Sequence, residues 1–211
     1  MNMKISKVLK SIKPVLAWSI LVPCLWGGSV VHATSADKMT VDQPTESEIG
    51  QYVYKMIDDS FKLMKEQDYA EMSNFFRFPE GNSDAETVRD RCFIASSLKY
   101  LTHRFGKPSD IKPPENGKQI QHYSIYVQAG SVEYWKKKQT SASTSFLVNF
   151  ANVGPGVINF QFDGLDKDMK LRSMAYGFEV SAEAKAKLMV LGREYTQFVK
   201  KISPKCNEMK N

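Results

Sequence analysis

"TSFLVNFANVGPGVINFQFDG", residues 144–164, alternates twice. Phe146, Val148 and Phe150 fall on one side of its first half. Ile158, Phe160 and Phe162 fall on one side of its second. Successive side chains of an extended chain point to opposite faces, so each half predicts a strand with one apolar face. Asn159, Gln161 and Asp163 take the reverse side. "NVGPG" (152–156), between the two, reads as a hairpin loop by its Gly and Pro content.

The same rhythm extends both ways. "IQHYSIYVQAG" (120–130) puts Tyr123, Ile125 and Val127 together, and "MKLRSMAYGFEV" (169–180) follows the turn "GLDKD" as a further strand. "SVEYWK" (131–136) reads as a short additional strand. One apolar and one polar face is the pattern of an antiparallel sheet covered on one side. "KPSDIKPPENGK" (107–118), with three prolines, reads as irregular.

Before it the period is helical. Ile49, Val53, Met56, Ile57, Ser60, Phe61 and Met64 make one face of a helix over 46–67, opened by capping-box spacing between Thr45 and Glu48. Asp68 caps a shorter helix, "YAEMSNFFRF", that Pro79 and Gly81 end. Ser83 and Glu86 open a third, with Val88, Cys92, Ala95, Leu98, Leu101 and Phe105 on one stripe and Gly106 as its stop. After the sheet, Ser181 caps a helix to about residue 202 that Pro204 stops, with Ala184, Leu188, Leu191, Tyr195, Phe198 and Ile202 on one face. The fold class is α+β: N-terminal helices packed on a curved antiparallel sheet, plus a C-terminal helix.

The chain opens with "MNMKISKVLKSIK", four lysines without an acid, then an apolar run, then "GGSVVHA". That order marks a secretory signal over 1–33, cut after Ala33. Residues 34–46 read as a flexible leader, 47–206 as a single domain, 207–211 as a tail. "LVPC" offers the outline of a lipoprotein box at Cys24, but Pro23 stands where a small residue belongs, so cleavage near Ala33 is the preferred reading. An uncleaved anchor is a third. The whole chain carries 29 basic and 23 acidic residues. Without the signal's four lysines the balance is 25 to 23, which leaves no basic excess for a nucleic-acid footprint. The apolar run, broken by Pro23, is too short for a membrane span, and the mature form has none.

Cleavage also leaves Cys92 and Cys206 as an even pair in an oxidising compartment, which predicts a disulfide. Closing so long a loop is worth at most about 4–5 kcal/mol in the chain-entropy view. Neither cysteine has companions at zinc spacing, so no metal site is expected.

Two stretches, "YKMIDDSFKLMKEQDYAEMSNFF" (54–76) and "FLVNFANVGPGVINFQFDGLDKDMKLRSMAYGF" (146–178), resemble secreted bacterial members of the nuclear-transport-factor-2-like superfamily, the cystatin-like α+β roll. The resemblance implies a sheet wrapped around a helix, leaving a conical cavity. Enzymes of that superfamily place a carboxylate or histidine in the cone with a tyrosine or acid opposite. The residues here that could serve are His122 or Asp163 as base and Tyr126 or Tyr176 as donor. An apolar ligand would meet Tyr123, Trp135, Phe146 and Phe160, which core packing explains equally well. No phosphate loop, nucleophile elbow or metal cluster appears, and no cofactor is expected. The expectation is therefore a secreted or periplasmic non-catalytic binding or accessory module, with a small apolar ligand or a protein as partner and a homodimer left open. The alternative is an isomerase or dehydratase with an acid–base site in the cone.

Overall fold

The computed structural model describes residues 46–113, 120–131, 134–135, 142–164 and 168–209. The expected signal, leader and Thr45 cap lie outside these residues. Helix α1 runs Glu46–Glu66 and ends on Gln67, whose positive φ of 64° lets Asp68 N–H reach back 3.0 Å to the Leu63 carbonyl. Asp68 then accepts from Glu71 N–H at 3.0 Å and caps α2, Tyr69–Ser73. This helix is shorter than the sequence implies. The next residues leave it to join the sheet: Arg77 N–H bonds the Leu171 carbonyl and Leu171 N–H the Phe75 carbonyl, both at 2.7 Å. Helix α3, Asp84–Phe105, starts with the expected capping box: Ser83 N–H donates 2.8 Å to Glu86, and Glu86 N–H donates to the Ser83 hydroxyl.

The strands are β1 (Pro108–Lys112), β2 (His122–Gln128), β3 (Ala142–Phe150), β4 (Gly154–Asp163) and β5 (Lys170–Glu179). They form one antiparallel sheet in the order β1-β3-β4-β5-β2. Helix α4, Ala182–Asn207, follows. The structure is thus α+β with a C-terminal helix, as the rhythm of the sequence requires.

Register fixes two faces. Phe146, Ile158, Tyr176 and Ile125 stand opposite one another across four strands, and all are buried. Phe61 of α1 meets Phe146 and Phe160 edge-on at 5.7 and 5.5 Å. Phe105 of α3 meets Phe150 at 5.0 Å and stacks on Phe178 at 5.5 Å. The helices therefore cover this inner face. On the outer face Asn159 donates to the Ser145 and Ser143 hydroxyls at 2.9 and 3.1 Å, and Ser173 donates to Gln161 at 2.8 Å. Helix α4 lies against α3: Phe198 stacks on Tyr100 at 4.2 Å, Glu194 pairs with Arg104, and Cys206 is disulfide-bonded to Cys92 with their Cα atoms 5.6 Å apart.

Four local expectations are corrected. Residues 108–112 are a strand, not irregular. Pro108 takes the first position of an edge strand, where a missing donor is tolerated, and the strand stops before Pro113. The β3–β4 turn is Ala151–Val153, and Gly154-Pro155-Gly156 already belongs to β4. Gly156 serves packing: a Cβ there would sit 2.6 Å from the Phe150 ring. Tyr134 and Trp135 lie in a helical turn, not a strand, because Tyr134 N–H bonds the Ser131 hydroxyl at 3.1 Å and Trp135 N–H the Ser131 carbonyl. The last helix passes through Pro204 to Asn207. One lost backbone bond is outweighed where Cys206 is pinned to α3 and Glu208 N–H closes on the Pro204 carbonyl at 3.2 Å.

Candidate functional site

The four residues able to do acid–base work reach four different places. Tyr176 projects from β5 into the core, where its hydroxyl lies 2.8 Å from that of Thr102 and donates to Met64 Sδ at 3.2 Å. Burial pushes its phenol far above the usual range, and the Thr102 bond offsets only part of this. It therefore stays a neutral phenol whose proton is already engaged. Tyr126 opposes Ala175 on the outer face and is 38% exposed. Tyr126 and Tyr176 belong to opposite faces of the sheet and cannot share a cavity.

His122 and Asp163 sit at opposite ends of β5. His122 pairs with Glu179 and Asp163 with Lys170, so roughly 30 Å of strand lies between them. His122 Nδ1 is 2.7 Å from the Ile120 carbonyl, which assigns the proton to Nδ1. Its Nε2 is buried with no partner among the described residues. Burial lowers its pKa, and the Ile120 carbonyl works weakly against that. Asp163 lies 3.4 Å from Arg77 Nε and also acts on the Arg172 guanidinium. It is an ion-pair carboxylate.

The aromatic candidates fill space rather than line it. Phe146 and Phe160 are core side chains 6.0 Å apart edge-on, and Tyr123, opposite Phe178, packs against the same core. Trp135 is 2% exposed, donates its indole N–H to the Ala129 carbonyl and carries the Arg172 guanidinium 5.2 Å above its ring. Among the described residues no cluster of His, Cys, Asp or Glu could hold a metal ion.

Among the described residues an open groove lies on the surface. It measures about 480 Å³ and crosses one end of the sheet and the start of α4; Asp110, Lys112, Leu147, Asn149, Glu179 and Lys187 are among its lining residues. Strand β1 supplies its outer wall, with Asp110 held at φ 49°. Its lining mixes acids and lysines. Glu183, also in the wall, accepts from Lys187, which holds its carboxyl below the ordinary range. The sequence hid this groove because Asp110 and Lys112 sit in a proline-rich stretch that only pairing with β3 makes extended. Comparison with protein-family models, curated proteins and solved structures finds no match.

Proposed function

We propose that this chain is an extracytoplasmic, non-catalytic binding module that meets a protein partner on its surface. The filled inner face carries the reading. Phe146, Ile158, Phe160, Met174 and Tyr176, which would line a cone, are all within 6% of complete burial and pack on α1 and α3. A small apolar ligand would have to displace them. The groove at the sheet end, with its mixed-charge rim and extended β1 wall, suits a polar peptide segment better than an apolar molecule. Export is supported by the basic-apolar-small order of residues 1–33 and by the Cys92–Cys206 disulfide, which fits an oxidising compartment. No helix among the described residues is long and apolar enough to cross a membrane. The isomerase alternative would need His122 or Asp163 to converge with Tyr126 or Tyr176, and their positions give it no support.

Native mass spectrometry of the protein isolated from the periplasm tests the proposal. The expected result is a chain starting at Thr34 with a bound polypeptide. A stoichiometric small molecule in its place would overturn the partner reading, and an acylated Cys24 would overturn the cleavage site.

A further inference from the structure

Helix α4 is the least buried of the three long helices. Along its 26 residues only Ala184 and Cys206 are buried. Its apolar stripe, Leu188, Leu191, Tyr195, Phe198 and Ile202, is half-buried, with Leu188, Leu191 and Tyr195 packed against the core. The second half of the helix meets α3 through Tyr195, whose ring lies 6.1 Å from that of Tyr100 and whose phenol is buried, and then through the Tyr100–Phe198 stack, the Arg104–Glu194 ion pair and the Cys92–Cys206 bond. The ion pair is more than a third exposed on both sides, so water screens it. Pro204 withholds one backbone donor in the final turns. The covalent bond is thus the strongest tie, and it sits at the far end of the helix, where the other ties are weakest.

We infer that oxidation of Cys92 and Cys206 is what docks the second half of α4 onto α3. In the dithiol form α1, α2, α3 and the sheet stay folded, while residues beyond Tyr195 leave α3 and uncover the face of Tyr100 that Phe198 covers. The inference rests on the extracytoplasmic reading only for the source of oxidant, a disulfide-bearing protein oxidase. One thiolate of this chain attacks the oxidase disulfide, and a mixed disulfide forms as that S–S bond breaks. The second thiolate displaces the oxidase sulfur. This chain loses two electrons and two protons, and the oxidase leaves as a dithiol. The reverse reaction has a defined entry. A groove of about 550 Å³, walled by Asp68, Glu71, Arg91 and Met209, opens on Cys92, whereas Cys206 is 1% exposed. An incoming thiolate therefore attacks Cys92 and expels Cys206, freeing the helix end.

Hydrogen exchange of the purified protein, followed by mass spectrometry, tests this. The oxidised protein is compared with the same protein under reductant and with the Cys92→Ser/Cys206→Ser double variant. Amides of 196–207 should exchange about tenfold faster or more in both thiol and serine forms, while 157–163 and 173–179 keep their protection. Unchanged exchange in α4 would overturn the inference. So would simultaneous loss of protection across the sheet, because the bond would then staple the whole domain. The measurement is independent of compartment, so it fails separately from the export reading, which the Thr34 terminus tests.

Discussion

Phe160 has no exposed surface and packs edge-on against Phe61, so truncation leaves a void that neither neighbour can fill. Phe160→Ala should cost about 3–5 kcal/mol in urea unfolding, and a near-neutral result would mean that the side chain is not in the core. His122 carries a different consequence. Its folded pKa lies below the ordinary 6.5 because burial disfavours the imidazolium. Between that lowered value and 6.5 the unfolded chain binds more protons than the folded one, so stability falls as the pH drops below about 6.5. Thermal melts from pH 7.5 down to 5.5 should show this loss, and His122→Gln should flatten the profile over that window. An identical slope in both proteins would show that the histidine is not the cause. The core position of Phe160 was legible in the alternation of 156–164. The lowered pKa of His122 was not, because it depends on what covers the ring, and sequence neighbours do not reveal that.

The third helix owes its start to two residues, Ser83 and Glu86. Ser83→Ala removes one half of the capping box and should lower stability by about 1 kcal/mol, read as a fall in Tm. An unchanged Tm would mean that water or Glu86 alone satisfies the first turn. Between β2 and β5 the limit is steric. A Cβ on Gly177 would stand 2.1 Å from the Tyr123 carbonyl oxygen, so Gly177→Ala must push two paired strands apart. A loss of about 1–3 kcal/mol or more is expected in chemical unfolding. A neutral substitution would show that the two strands can yield. Strands β3, β4 and β5 and helices α1 and α3 were readable because their periodicity runs long enough to outvote local accidents. Strand β1 and the end of α4 were not. In both, a proline argues locally against the structure, and a distant partner decides the matter: Phe150 and Asn149 for β1, Cys92 for α4.

Taken together, the helices and sheet leave the interior occupied. An apolar fluorescent probe such as anilinonaphthalene sulfonate should show no saturable one-to-one binding to the folded protein at pH 7. A stoichiometric site would restore the ligand-cavity reading. That the sheet and helices pack rings together rather than leave a cavity could not be read in advance: both uses need the same aromatic residues, and only their mutual distances separate them. The sheet order has one more effect, on time. Among the described residues strand β2 pairs only with β5, so Gln128 waits for Ser173 and His122 for Glu179. At ordinary translation speed that is a delay of about 2–11 s, during which the nascent segment "HYSIYVQ", uncharged and rich in aromatic and β-branched residues, has emerged without its mate. A chain built in this order leaves that segment open to pairing with its neighbours on the polysome until β5 emerges.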